Sequence, residues 1–413
     1  MTTKDRLILR DLAKLVAEAA ADPAQKEKAR LWSACNALKP ERAMVYADPQ
    51  NGWAELVGDK DLVCEDAFAR GLELSLRRTV FRIGHVHDDY PVTDRFGVGV
   101  DIHMDVYNGY GLASKTVNSG DKGGAYHIDP SLKTEADFEK LHPVDIQIDY
   151  ESTAHNLMLV QNVFGDILDV QLQGMGHFRC GLTRILIHWR GLDQLMYDLY
   201  DNPELIHKCM AFLRDQQMRE MSFFEEKGLL SLNNGPTSGN GTGGLAHNDA
   251  MPQEDFNGQV RLKDMTIWGE SQEFTSVGPD QFEEFVLQYQ LPILNRFGLV
   301  DYGCCEPLDT KFDLLIKHLP RLRWVAVSPW CNREIAAEKL GSKYVYVYKP
   351  NPSRICSPKP DFDSAERELR ETLRIAEGCP VHLVMKDTGT FFNEPERLTK
   401  WTEIASRVVR EMA

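Results

Sequence analysis

The feature that most constrains the fold is an alternation of short apolar runs with longer amphipathic stretches, beginning near residue 160. The runs are rich in β-branched and apolar residues and lie at 167–172, 229–232, 299–303, 324–327, 344–348 and 381–385. The stretches between them place apolar residues at helical spacing, as at 201–227, 279–297, 311–318 and 364–377. This pattern is typical of βα units around a parallel sheet. It predicts an α/β protein.

Two earlier segments, 42–47 and 81–86, bring the number of predicted strands to eight. Eight parallel strands with intervening helices form a (β/α)8 TIM barrel, and such barrels reach 413 residues as one domain once insertions are included. No internal repeat or low-complexity linker marks a boundary. We therefore predict a single barrel domain over residues 1–413.

Three segments are predicted to lie outside the barrel core. Residues 1–36 form an N-terminal helical extension, because charges alternate with Leu, Ala and Val at helical spacing over its first part. Residues 88–130 are rich in Asp, Gly, Tyr and Val with partial period-two alternation, which predicts a β-rich insertion covering the barrel mouth. Residues 233–257 carry five glycines and are predicted to be a long binding loop.

Composition excludes several classes of partner. The formal net charge of −15 disfavours a nucleic-acid backbone or an anionic membrane surface, since both require a basic patch. No run approaches the roughly 18 apolar residues needed to cross a bilayer, and residues 1–22 lack the apolar core of a signal peptide. Nine cysteines, an odd number, indicate reduced thiols. We expect a cytoplasmic protein with small-molecule or protein partners, its oligomeric state left open.

Two cysteines follow neighbouring predicted strands, where barrel enzymes place their chemistry. Cys305 follows the strand at 299–303 and Cys331 the strand at 324–327. Two thiolates there can share a tetrahedral Zn²⁺ with Glu270 as a third ligand, and Glu306 and Asp387 compete for that position. The alternative is that the cysteines are small buried apolar side chains and the glutamates are solvated.

Other polar and aromatic residues at predicted strand ends are candidate substrate contacts. Lys349 and Asn351 end the strand at 344–348, Trp268 precedes Glu270, and Asn233 and His247 lie in the glycine-rich loop. An aromatic ligand is favoured by five aromatic residues near strand ends, Trp53, Phe178, Trp268, Trp330 and Phe391. The alternative is that these rings pack in the core and the polar groups make ordinary hydrogen bonds.

Two motif matches are rejected. Residues 239–244 satisfy GxGxxG, but they lie inside a long loop and no helix follows, so a dinucleotide site is not predicted. Asp101 and His103 match the start of the DxHxxG corrinoid-binding signature, but Val106 stands where glycine is required. The chain is therefore expected not to carry its own corrinoid.

The order of motifs resembles the uroporphyrinogen decarboxylase superfamily, and within it the cobalamin-dependent methyltransferase branch. The likeness runs from about residue 37 to the C-terminus. It rests on the segments 39–46, 191–192, 199–205 and 279–285, and on the strand that carries Cys305.

Departures from the family pattern narrow the expected activity. The arginine-rich motif of the decarboxylases is replaced by 47–53, which disfavours porphyrinogen decarboxylation. Coenzyme M methyltransferases of the branch carry His-x-Cys at the fifth strand and a further cysteine after the last strand. Here Gly303 stands at the histidine position, Cys305 matches the first cysteine, and 386–388 replace the last. The metal ligands are therefore expected to differ.

Such altered ligand sets are similar to those of the O-demethylase methyltransferases. The resemblance implies transfer of a methyl group from an aromatic methyl ether to the cobalamin of a separate corrinoid protein. In such a reaction Zn²⁺ acts as a Lewis acid on the ether oxygen, and Asp387 or Lys349 assists. The alternatives are a methyltransferase for a methylamine, methylthiol or other small methyl donor, or a barrel that binds or decarboxylates a tetrapyrrole.

Overall fold

The structure is a computed structural model that describes residues 1–118, 120 and 126–413. Numbered along the chain, its helices are α1 Thr3–Ala20, α2 Pro23–Asn36, α3 Trp53–Leu56, α4 Ala67–His85, α5 Tyr150–Phe164, α6 Leu182–Arg190, α7 Leu192–Asp201, α8 Pro203–Glu226, α9 Pro279–Phe282, α10 Gln288–Leu294, α11 Phe312–His318, α12 Arg333–Leu340, α13 Phe362–Ile375 and α14 Glu396–Glu411. Its strands are β1 Met44–Ala47, β2 Arg95–Gly99, β3 Asp101–Met104, β4 Lys115–Asn118, β5 Tyr126–Asp129, β6 Ile146–Asp149, β7 Asp169–Gln173, β8 Arg179–Cys180, β9 Thr266–Gly269, β10 Leu299–Tyr302, β11 Leu322–Val327, β12 Val345–Tyr348 and β13 Val381–Met385. Across the described ranges, no helix combines the length and the apolar character needed to cross a membrane.

A parallel sheet of seven strands forms the centre, in the order β1-β13-β12-β11-β10-β9-β8. Every pairing in it is parallel, and β10 and β12 are buried at every position. Strands covered on both faces are continuous apolar runs in sequence, which is why they were predictable. The α/β architecture with a parallel sheet is confirmed. Within the described residues, pairing ends at β1 and β8, so closure into a ring of eight remains a prediction.

Three of the predicted barrel strands differ from the structure. The segment 81–86 belongs mostly to α4, which Asp66 caps and whose buried Ala69, Leu72 and Leu76 follow helical spacing. Local β-propensity in 81–86 is overridden by that packing. The segment 167–172 overlaps β7, but β7 pairs with β2 in a separate two-stranded sheet. The segment 229–232 makes a single parallel bridge, from Leu230 to Met175.

The N-terminal extension is helical, as predicted. The Thr2 hydroxyl accepts the backbone N–H of Asp5 at the start of α1, and the Asp22 carboxylate accepts that of Ala24 at the start of α2. The buried face of α1 packs into an apolar cluster shared with α4 and α5. The extension is therefore joined to α4 and α5 by a small core of its own.

The segment 88–130 is β-rich where the structure describes it. β2 pairs with β7, β3 with β6 and β4 with β5, so two of its partner strands lie further along the chain than predicted. Tyr110 from this segment packs against Trp189 of α6 and Phe212 of α8. Part of the segment 88–130 thus packs against α6 and α8. That this segment covers the barrel mouth remains a prediction.

Candidate active site

Charged and sulfur-bearing side chains gather where β10, β12 and β13 end. The sulfurs of Cys304 and Cys305 are 3.6 Å apart, and the Cys305 sulfur is 3.7 Å from Oδ2 of Asp387. The Lys349 ammonium donates to the carbonyl of Cys304 at 2.7 Å. Lys386, next to Asp387, is close enough to lower the pKa of Cys304. We call Cys304, Cys305, Lys349, Lys386 and Asp387 the mouth cluster.

Gly303 sets the turn that presents the two cysteines. Its φ of +98° is a conformation that side chains rarely adopt. A Cβ there would also lie 2.8 Å from Leu308 and 3.0 Å from the Cβ of Ala326. A histidine at this position would not fit.

The mouth cluster favours one thiolate. The hydrogen bond from Cys305 is the largest cause that lowers the pKa of Cys304 to about 6, and Lys349 and Lys386 lower it further against the opposing effect of burial. The same hydrogen bond, with burial, raises the pKa of Cys305. Burial and the neighbouring Lys349 lower the pKa of Lys386. A thiolate favoured near neutral pH and a lysine of lowered pKa therefore lie together.

The mouth cluster offers donors suited to zinc. A tetrahedral Zn²⁺ with Zn–S bonds of 2.3 Å holds its sulfurs about 3.8 Å apart, close to the spacing of Cys304 and Cys305. Cys305 contacts both Cys304 and Asp387, but the ligand atoms of these three residues do not all lie within 4.8 Å of one another. In the described part of the chain, Asp101, His103 and Asp149 are the one group of three such residues whose ligand atoms all lie within 4.8 Å of one another. Zinc binding by the cysteines remains a prediction.

The structure does not bring the other predicted ligands, Glu270 and Cys331, into such a group with Cys305. Glu270 is buried and accepts from Nε and Nη2 of Arg179 at 3.1 and 2.7 Å. Burial is the main cause that raises its pKa to about 7. The Cys331 sulfur accepts the backbone N–H of Leu308 at 3.2 Å, and burial raises its pKa to about 11. Each predicted ligand thus has a local role of its own.

Trp268, predicted to contact substrate, adjoins the mouth cluster. Its indole N–H donates to the carbonyl of Gly303 at 2.9 Å. The Arg179 guanidinium lies 4.5 Å and the Lys386 ammonium 6.0 Å from its ring centroid. A half-buried indole beside two cations is a suitable wall for an aromatic substrate.

The glycine-rich segment 239–244 packs closely against residues of β9 and β13 and the lysine after β13, so side chains added to it would clash. A Cβ on Gly241 would overlap the ring of Trp268, and one on Gly243 would approach Lys386 at 2.8 Å. The backbone N–H of Gly241 donates to the buried carboxylate of Asp301 at 2.6 Å. The glycines therefore serve close packing beneath Trp268 and Lys386, consistent with the rejection of a dinucleotide motif.

Three further predicted substrate residues lie elsewhere. Asn233 exchanges two hydrogen bonds of 2.9 Å with the backbone of Thr266, so it fixes the start of β9. The His247 ring contacts the Asn234 carbonyl, and its own carbonyl accepts from Asn36, beside the amino-terminal part of the sheet. Asn351 caps the turn Pro352–Arg354 and lines a cavity of about 480 Å³ together with Cys331. The geometry gives all three structural contacts.

Comparisons with known proteins show where this architecture occurs. No family model and no curated protein matches the chain. Nineteen chains of solved structures do, among them a methyltransferase from Methanosarcina mazei. That alignment covers 92% of this chain and 98% of the other, with a TM-score of 0.50 and 11% sequence identity. The fold is shared with a methyltransferase. At this identity the likeness establishes the methyltransferase-like fold and does not by itself assign a reaction.

Sequence reasoning missed three residues of this site. Cys304 was not among the predicted ligands, although it follows the same strand as Cys305. Lys386 was available from its position directly after β13, but its burial depends on the glycine loop. Arg179 lies at β8, a strand of two residues that no periodicity reveals.

Proposed function

We propose that this protein is a methyltransferase that moves a methyl group from an aromatic methyl ether to the cob(I)alamin of a separate corrinoid protein. The observation that carries the proposal is the mouth cluster of thiolate, carboxylate and two ammonium groups beside Trp268, within a fold found in a methyltransferase. Barrel enzymes hold their chemistry at this end of the sheet.

The residues of the cluster suit the departure of a phenolate. In the reaction the bond between the methyl carbon and the ether oxygen breaks, the carbon goes to the cobalt, and the oxygen gains negative charge and then a proton. Lys386, whose pKa burial lowers, stabilises that charge and supplies the proton. Trp268 forms the wall beside Lys386, where the ether group of the substrate reacts.

Lys349 and Asp387 orient the thiols. Lys349 fixes the Cys304 carbonyl, and its charge favours the thiolate form of that residue. Asp387 faces Cys305 and limits its rotation. Zinc held by Cys305, with Cys304 and Asp387 as the nearest further donors, would supply a Lewis acid at the ether oxygen.

A direct experiment separates this proposal from a barrel that only binds a ligand. The purified protein is assayed for zinc and mixed with a reduced corrinoid protein and candidate methyl donors, and the cob(I)alamin absorption band is followed. Near-stoichiometric zinc that Cys305→Ala removes, and loss of the band with aromatic methyl ethers, are expected. If the band is lost with methylamines or methylthiols alone, the substrate is one of these methyl donors and not an aromatic methyl ether.

A further inference from the structure

A cavity lies at the carboxyl end of β1, the strand that pairs with β13, and its Asp48 acts electrostatically on Lys386 of the mouth cluster. Its volume of about 370 Å³ is typical of a small-molecule pocket. Tyr46 of β1, Trp53 of α3, Arg78 and Arg82 of α4, and Tyr90 line it. The cavity therefore combines aromatic rings with two cations from successive turns of one helix. We call it the arginine cavity.

Aromatic rings hold both arginines in place. The Arg82 guanidinium lies 4.3 Å from the ring centroid of Tyr90 and 5.2 Å from that of Tyr46. The Arg78 guanidinium lies 5.3 Å from the ring of Trp53. Arginine packed in this way presents a fixed fork of N–H groups and loses little entropy when it binds a ligand.

The two arginines retain donors that no group among the described residues accepts. Arg82 donates to the Ala47 carbonyl and to Asp88, but in the part of the chain that the structure describes its Nε is buried without a partner. The Arg82 side chain is only 10% exposed, so this unpaired donor is costly. Arg78 makes one long contact of 3.4 Å, from Nε to the Val57 carbonyl, and its terminal nitrogens have no partner among the described residues.

Charge in the arginine cavity is uneven. Asp88 neutralises Arg82 at 2.7 Å, whereas no acidic group pairs with Arg78 in the described ranges. Asp48 also lines the cavity, and its carboxylate acts electrostatically on both Arg82 and Lys386. Asp48 therefore lies on the side of the arginine cavity that faces the mouth cluster. Arg78 is the cation of the cavity that is left to bind an anion.

We propose, resting on the proposed function, that the arginine cavity binds an aromatic methyl ether carrying a carboxylate, which Arg78 holds through its terminal nitrogens. A planar carboxylate matches the two parallel donors of a guanidinium. The ring then lies among Trp53, Tyr46 and Tyr90, and its far end faces Asp48 and Lys386. The arginine cavity would thus select aromatic acids over neutral ethers of the same shape.

Isothermal titration calorimetry of the full-length protein tests this with para-methoxybenzoate and its neutral analogue para-methoxybenzyl alcohol. The acid is expected to bind at least about tenfold more tightly than the alcohol. Arg78→Gln should remove this preference, Arg78→Lys should restore part of it, and Arg374→Gln, at an exposed arginine of α13, should leave it unchanged. Equal binding of the two compounds, or tight binding of the acid by Arg78→Gln, would overturn the proposal.

Binding of the aromatic acid and methyl transfer are measured separately. The titration needs neither corrinoid nor turnover, so a preference for the acid that Arg78→Gln abolishes supports the binding site even if no methyl transfer occurs. Conversely, methyl transfer from neutral ethers at rates equal to those from the acids would support the reaction and overturn the role of Arg78.

Discussion

Two cysteine-bearing regions at the ends of neighbouring strands differ in their electrostatics and not in their burial. Cys304 and Cys331 are each 8% exposed, one after β10 and the other after β11. A hydrogen bond and two lysines lower the pKa of Cys304 to about 6, whereas burial raises that of Cys331 to about 11. A strand end thus provides the place for a reactive thiol, and neighbouring charges decide whether it becomes one.

The largest effect is expected from removing a charge of the mouth cluster. Lys386→Met should lower the rate of methyl transfer by about 10²- to 10³-fold, because a preorganised cation facing the developing phenolate is lost. Lys343→Met, at an exposed lysine, is the matched control and should leave the rate unchanged. A rate for Lys386→Met within twofold of wild type would remove Lys386 from the mechanism.

The second prediction compares the two thiols directly. At pH 7, iodoacetamide should alkylate Cys304 about 10²-fold faster than Cys331, since thiolate fraction governs the rate and lower basicity offsets part of the gain. Peptide mass spectrometry over time measures both rates in one sample of metal-free protein. The rate at Cys304 should rise through a midpoint near pH 6, and equal rates at the two sites would contradict the electrostatic difference.

The third prediction concerns the support beneath the mouth cluster. Burial raises the pKa of Asp301 to about 7, so between pH 4 and 7 the folded protein holds a proton that the unfolded chain releases. The free energy of unfolding should therefore fall as pH rises, by at most about 1.4 kcal/mol per pH unit from this group. Asp301→Asn should remove that contribution.

Urea unfolding of both proteins at several pH values measures the difference. A wild-type profile whose slope matches that of Asp301→Asn would show that Asp301 titrates as in the unfolded chain. It would also weaken the assignment of 239–244 as a packed support, because the Gly241 N–H depends on this carboxylate.

The smallest effect is expected at the other cysteine. Cys331→Ser should lower the free energy of unfolding by about 1 kcal/mol, because a buried hydroxyl replaces a thiol, while zinc content and methyl transfer change less than twofold. Thermal unfolding, metal analysis and the transfer assay together check this. Loss of zinc in this variant would return Cys331 to the ligand set and erase the distinction between the two regions.

The sequence predicted β1 and β10 to β13, but it missed β8 and β9 and misplaced three other strands, for a physical reason. β10 to β13 are buried on both faces and appear as apolar runs. β8 has two residues, and β7 pairs outside the central sheet. Neither property produces a hydrophobic periodicity in the sequence. The segment 81–86 is helical because α4 packs against α1.

The candidate site shows a similar division. Cys305, Lys349 and Asp387 follow predicted strands, and position alone made them candidates; Trp268 lies in β9, a strand that was not predicted. Cys331 also follows a predicted strand, but its sulfur accepts the backbone N–H of Leu308, and Glu270, which follows β9, pairs with Arg179. Such commitments depend on contacts between segments far apart in the chain, which strand-end position does not encode.

The most direct measurement of the proposed activity is a stopped-flow record of the cob(I)alamin band when the zinc-loaded protein, a reduced corrinoid protein and para-methoxybenzoate are mixed. Wild-type protein should bleach the band and release an equimolar amount of para-hydroxybenzoate, and Lys386→Met should do so at least about 10²-fold more slowly. A band that persists with aromatic methyl ethers, or that bleaches equally with both proteins, would contradict methyl transfer at the mouth cluster.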